Sequence, residues 1–179
     1  MGLSSTIYNF EIELSDSDRG VYESLALRVA CHPSESAEFL VTRVLAYCLE
    51  FTGGLAFGKG LSEPDEPALA VRDLTGVLRT WIDVGFPDAR RLHKAAKVAE
   101  RVVVYTHRDP AALLAKLAGE KIHRAHALEL RSLDRDLIAR LAAGLQRRTA
   151  FTLAVAGEQL YLTLGDELLT AAVGRHALA

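Results

Sequence analysis

The sequence predicts an α+β fold, a mixed and mainly antiparallel β-sheet with flanking helices. Three observations carry this. A period-two hairpin opens the chain, a second period-two hairpin lies near its end, and strands alternate with helix-start signals between them. Antiparallel hairpins at both ends of a strand–helix alternation imply one mixed sheet with helices packed on it.

Tyr8, Phe10, Ile12 and Leu14 alternate with Asn9, Glu11 and Glu13, so the first element is a strand with one dry face. Ser15 to Gly20 is a polar turn, and Leu25, Leu27, Val29 and Cys31 alternate again, completing a long hairpin. His32-Pro-Ser-Glu35 reads as a helix start, because proline suits the first turn and glutamate favours the positive end. Phe39, Leu40, Leu45, Ala46 and Leu49 supply the buried stripe, and Gly53-Gly54 stops the helix. Leu61 to Pro67 is a polar loop carrying Glu63, Asp65 and Glu66, and a strand pair is expected after it. Val77 to Val84 reads as a strand with Leu78, Ile82 and Val84 on one face and Arg79, Trp81 and Asp83 on the other. Pro87-Asp88 opens a helix running to about Ala99, and the apolar Val102–Tyr105 suits a strand covered on both faces. Asp109-Pro110 begins a further helix closed by Gly119. Ala127–Leu130 is a weaker strand, Asp134–Ala143 a helix, and Phe151 to Leu164 the closing hairpin, placed beside the opening one.

With 179 residues, half of them apolar, the chain fits one domain, spanning 1–179, without metals or disulfides to hold it. No apolar run is long enough to span a bilayer and Met1–Leu14 lacks the layout of a secretion signal, so a cytoplasmic protein without membrane association is expected. Cys31 and Cys48 are too few for a disulfide framework and match no zinc pattern, so both are expected reduced, buried and structural. The net charge of -2 excludes a protein that coats nucleic acid by overall basicity. The charge is nevertheless uneven: residues 86–148 hold 14 Lys and Arg against 7 Asp and Glu, and the remainder holds 7 against 16. That asymmetry allows a basic groove for a polyanion with carboxylates at its floor, or solvated helix faces without function.

Chemistry is concentrated between Asp73 and Lys94. Asp73 precedes a Gly-containing bend, and Asp83 lies ten residues further along an apolar strand. A reversal centred near Val77 and Leu78 places the two carboxylates nearly opposite each other, where a cation must relieve their repulsion. Oxygen ligands of this kind suit Mg²⁺ or Mn²⁺, which activates water and polarises a phosphoryl oxygen. A bend centred on Thr75 and Gly76 instead leaves the acids more than about 15 Å apart, and no site forms. Arg90, Lys94, Lys97 and Arg101 recur at helical spacing as a basic stripe beside Arg91. Lys94 is the candidate for orienting a nucleophile, with Lys97 as fallback, and Arg90, Arg91 and Lys97 are candidates for steering phosphate. Ion pairing and solvation explain the same residues without catalysis. Glu38, on the first helix, is a third candidate metal ligand. His123 and His126 lack a third ligand and read as surface residues, and Trp81 reads as packing. No phosphate-cradling glycine loop, serine elbow or Cys/His cluster is present.

Taken in order, Thr6-Ile-Tyr8, His32-Pro-Ser-Glu35 with Arg43, Gly60-Leu-Ser62, Asp65-Glu-Pro67, Asp73-Leu-Thr-Gly76, Trp81-Ile-Asp-Val-Gly85 and Pro87-Asp88 through Arg91 to Lys94-Ala95 resemble the YaeQ family of small bacterial proteins over nearly the whole chain. The resemblance implies a fold similar to the PD-(D/E)XK nuclease core with added hairpins, in which one acid precedes a hairpin and an acid-x-lysine triplet follows on the next strand. Asp73 and Asp83 fall on those acids. Gly85 stands where the strand lysine belongs, and some members of that superfamily carry the lysine on the following helix, which points to Lys94, with Glu38 resembling the helix acid that often joins the site. The expectation is a Mg²⁺- or Mn²⁺-dependent nuclease-like phosphodiesterase acting on nucleic acid. The alternative is a non-catalytic module that binds nucleic acid or a protein and retains the fold.

Overall fold

The computed structural model describes residues 4–59 and 65–178. Eleven strands and four α-helices follow one another along them: β1 Thr6–Asp16, β2 Val21–Cys31, α1 Ala37–Leu49, β3 Leu55–Phe57, β4 Leu69–Arg72, β5 Leu78–Val84, α2 Ala89–Val98, β6 Arg101–Thr106, α3 Pro110–Leu117, β7 Glu129–Ser132, α4 Arg135–Ala143, β8 Arg148–Ala156, β9 Gln159–Leu164, β10 Glu167–Ala172 and β11 Gly174–His176. The α+β class and the mainly antiparallel pairing match the sequence expectation. The strands nevertheless form two sheets rather than one, ordered β10-β9-β8-β1-β2 and β11-β7-β6-β5-β4-β3. The two terminal hairpins do lie side by side, joined by parallel pairing of β1 with β8.

The second sheet explains the unusual α1. One core combines inner residues of the five-stranded sheet with α1, α4 and one face of the six-stranded sheet. A helix covered from so many directions cannot keep a polar side, and Leu40 through Ala46 are buried without interruption, including Thr42 and Arg43. Burial raises the Cys48 thiol to about 12, whereas Cys31 is only half-buried. A smaller core of Trp81, Leu92, Ala95, Val104, Leu113 and Leu130 packs α2 and α3 on the other face of the six-stranded sheet.

The start of α1 differs from the expected one. Ser36, not the Pro33 segment, caps the helix by accepting from the Phe39 N–H at 3.0 Å. Glu35 is drawn out of the helix by Arg43, whose Nη2 donates to its carboxylate at 2.7 Å and to the Ala30 carbonyl at 2.8 Å. Asp88, Asp109 and Asp134 cap α2, α3 and α4 as their sequence signals indicate. The weak strand sits two residues later than expected, after a short 3-10 turn at Ala125–Ala127. Strands β10 and β11 carried no recognised signal.

For a site, the arrangement of β5, β6 and β7 matters most. They are parallel neighbours, and each is followed directly by a helix start. Ligands commonly bind just beyond the carboxyl ends of such strands. No helix among the described residues is long and apolar enough to cross a membrane.

Candidate anion-binding cleft at the end of β5

Strand β5 changes character along its length. A register shift in its pairing with β4 sets Leu78 opposite Arg72 and Thr80 opposite Val71, leaving Arg79 as the extra residue of a bulge. Leu78 therefore packs with Trp81 in the smaller core, not with Ile82 and Val84 as strict alternation predicts. From Thr80 to Val84 the strand is buried, and it ends at Gly85, where the chain turns sharply. Gly85 has φ +96, and a Cβ there would meet the Phe39 ring at 3.0 Å, so only glycine lets α1 pack this close to the loop.

The bend between β4 and β5 takes the second of the two geometries considered above. The Asp73 N–H donates to the Val77 carbonyl at 3.0 Å and the Gly76 N–H to the Asp73 carbonyl at 2.9 Å, so the reversal centres on Leu74 to Gly76. Asp73 thus sits at the turn, and Asp83 lies five residues beyond Leu78, about 16 Å away at the usual strand rise. The expected Asp73–Asp83 carboxylate pair does not form. Asp73 instead organises the turn: Oδ1 accepts from Thr75 Oγ1 at 2.6 Å, the Thr75 N–H at 2.9 Å and the Val77 N–H at 3.0 Å, and Oδ2 accepts from Arg79 Nε at 3.0 Å. Those donors, the Thr75 hydroxyl foremost, lower its pKa to about 2. A depressed carboxylate stabilises the fold above its ordinary titration range and loses that contribution as pH falls through the folded value. In an NMR titration the Asp73 carboxylate is therefore expected to stay ionised down to about pH 2, with the Thr75 and Val77 amide signals moving only as it protonates. Movement of those signals near pH 4, the ordinary aspartate value, is the contrary result.

At the other end of β5 the groups converge. The Asp83 side chain is almost wholly buried, and both of its oxygens are taken by one guanidinium: Arg91 Nε donates to Oδ2 at 2.8 Å and Nη2 to Oδ1 at 3.0 Å. Arg91 Nη2 also reaches the Glu66 carbonyl at 2.6 Å, and the guanidinium lies over the Trp81 ring at 5.4 Å. One helical turn further, Lys94 Nζ lies 3.3 Å from Asp65 Oδ1, with both side chains mostly in solvent. Lys94 pairs with Asp65 rather than with Asp83. Asp65, Trp81, Asp88, Arg90, Arg91 and Lys94 line an open cleft of about 390 Å³.

The remaining candidates separate. Arg90 lines the cleft, whereas Lys97 is exposed further along α2 and outside the lining set. Arg101 leaves the helix altogether and lies in β6, paired with Glu50 and Glu129, so the basic stripe ends at Lys97. Glu38 occupies the first turn of α1, where its charge acts on the half-buried His107 ring, which Thr42 Oγ1 contacts at 3.2 Å. Among the described residues no three His, Cys, Asp or Glu side chains are placed to hold a metal ion, so Asp73, Asp83 and Glu38 do not fit a shared Mg²⁺ or Mn²⁺.

Sequence reasoning missed Asp65. Counting from a turn reveals it: in an antiparallel hairpin the residue beside the end of the second strand precedes the first strand, not the turn. With Leu69 opposite Ile82, the register leads Asp83 towards the segment just before β4, where Asp65-Glu-Pro67 lies. Glu63 falls within 60–64, outside the described residues.

The YaeQ family model matches residues 1–173. The chain belongs to the YaeQ family. Relatives called "Uncharacterized protein YaeQ" from Salmonella typhi and Escherichia coli K12 are 37% and 36% identical over 112 residues, which is 63% of this chain. The matched stretch spans 62% of the length of each relative. The crystal structure of YaeQ protein from Pseudomonas syringae aligns with a TM-score of 0.86 at 31% identity, over 96% of this chain and 95% of that one. YaeQ protein from Xanthomonas axonopodis pv. citri aligns with a TM-score of 0.86 at 32% identity, over 98% of this chain and all of the other. The two-sheet architecture is thus shared with YaeQ crystal structures.

Proposed function

We propose that this member of the YaeQ family is a non-catalytic nucleic-acid-binding module that takes backbone phosphate in the cleft beyond β5. The observation that carries this reading is the state of Asp83. Both of its oxygens are engaged by Arg91, so the carboxylate serves to aim a guanidinium and not to ligate an ion. Arg90 and Lys97 are exposed on the same helix with no carboxylate partner among the described residues. The Lys94–Asp65 pair is so exposed that it holds little energy, and a phosphate oxygen can replace Asp65 on the ammonium. Arg108 and Lys116, over the Phe86 ring at 4.5 and 4.8 Å, extend the cationic surface beyond the β5–α2 loop.

The hydrolytic reading has one geometric point in its favour: Asp65 and Lys94 line the cleft beside Arg91, the residue that holds Asp83. It requires Arg91 to leave Asp83 first. The two readings part in one experiment, fluorescence anisotropy of a labelled oligonucleotide across a salt series, with and without Mn²⁺. The binding module predicts metal-independent affinity that falls steeply with salt, and about a tenfold or larger loss in the triple variant Arg90→Glu, Lys94→Glu, Lys97→Glu. Affinity indifferent to that variant overturns the proposal. So does Mn²⁺-dependent cleavage that disappears in Asp83→Asn, which would install the hydrolytic reading instead.

A further inference from the structure

The outer edge of the five-stranded sheet is long, regular and free of proline and bulges, with Glu23 the one charge on its inner face, and we infer that it pairs with the same edge of a second copy of this chain. Strand β2 closes that sheet, and its register with β1 runs from Val21 to Cys31 without a bulge. Natural edges are usually short, bulged, or guarded by proline or inward charges. Among the described residues the other edge strands are shorter, three residues each for β3 and β11 and six for β10, and only β2 offers eleven.

The backbone parity fixes which groups are on offer. The Asn9 N–H donates to the Arg147 carbonyl, so odd residues of β1 face β8 and even ones face β2. Tyr8 stands opposite Val29 and Phe10 opposite Leu27, which turns the odd residues of β2 inward to β1. The N–H and C=O groups of Tyr22, Ser24, Ala26 and Arg28 therefore point outward, while the Ala30 carbonyl is already taken by Arg43. One antiparallel two-fold register uses all of the first four and leaves Ala30 alone. It is centred on Leu25, with Tyr22 opposite the partner's Arg28 and Ser24 opposite the partner's Ala26.

The side chains suit that register. On the solvent face, Tyr22 is 64% exposed and gains the partner's Arg28 guanidinium twice over the interface, with only Ser24 and Ala26 between. On the inner face Leu25, at the rim of the core, meets its own symmetry mate, and Glu23 meets the partner's Leu27 with no like charges opposed. The pairing makes one continuous ten-stranded sheet and brings two clefts onto one particle, which raises effective concentration on a polymeric ligand.

Sedimentation of the whole chain from about 1 to 500 µM covers the range expected for a small edge-to-edge interface. A reversible dimer is expected. Ala26→Pro deletes an outward N–H without touching the β1 ladder and is expected to give a monomer with an unchanged cooperative melt. In a Cys31→Ser background, Leu25→Cys is expected to form an intermolecular disulfide on oxidation, because the two-fold sets those Cα atoms about 4.5 Å apart. A monomer at every concentration overturns the inference, as does a dimer that ignores Ala26→Pro and fails to crosslink through residue 25.

Discussion

Glu35→Ala is expected to lower the free energy of unfolding by about 3–5 kcal/mol, the usual loss when one member of a buried ion pair is removed. The carboxylate and the Arg43 guanidinium are 1% and 2% exposed and lie 2.7 Å apart. Deleting the acid leaves a cation inside the main core with, among the described residues, the Ala30 carbonyl as its remaining hydrogen-bond acceptor and no partner for the buried Nε of Arg43. The residual contact of the guanidinium with the Phe57 ring, at 5.9 Å, is too weak to compensate. Urea unfolding measures the loss. The double variant Glu35→Leu, Arg43→Met is expected to recover most of it, because a well-packed apolar pair no longer requires desolvated charge. A Glu35→Ala protein within about 1 kcal/mol of the parent would show that this pair holds nothing together. The His32-Pro-Ser-Glu35 motif with Arg43, one of the features by which the sequence resembles its family, thus serves the joint between β2 and α1 and stands apart from the cleft.

That motif also shows where sequence reading stops. Alternation along β1 and β2, the aspartate caps of α2, α3 and α4, and the apolar β6 are local signals, and each element formed where its residues indicated. Pro33 and Glu35 imitate the first turn of a helix, but an arginine eight residues later withdraws the glutamate, a tertiary choice that no local window contains. The second sheet was hidden for a similar reason: β1 pairs with β8 across more than a hundred residues, and nothing local separates that sheet from the other. In the cleft, Asp83, Arg91, Lys94 and Arg90 were legible from the strand–helix junction. Asp65 was not, because its place depends on where the β4–β5 turn is centred, and a bulge at Arg79 shifts the phase of that hairpin.

Asp83→Ala is expected to separate architecture from chemistry. Asp83 is buried and Arg91 is 29% exposed at its side chain, so the stability loss falls near the low end for a broken buried pair, about 3 kcal/mol, read by urea unfolding. The guanidinium keeps the Glu66 carbonyl and the Trp81 face, which hold it at the mouth of the cleft after its carboxylate is gone. Without Asp83, the Arg91 guanidinium has one carboxylate fewer competing with phosphate. A folded Asp83→Ala protein is therefore expected to bind an oligonucleotide at least as tightly as the parent, with a salt dependence steeper by about one phosphate contact. A site whose purpose is to hold a divalent ion behaves in the opposite way, because losing that carboxylate removes a ligand and with it both metal affinity and turnover. Trp81 supplies the readout, since its indole touches both the guanidinium and the cleft: its fluorescence is expected to shift when oligonucleotide is added to either protein, and to ignore Mn²⁺ in both. A Mn²⁺-induced shift in the parent that vanishes in Asp83→Ala would mean that Arg91 yields its place to a metal, and the binding-only reading of the cleft would be wrong.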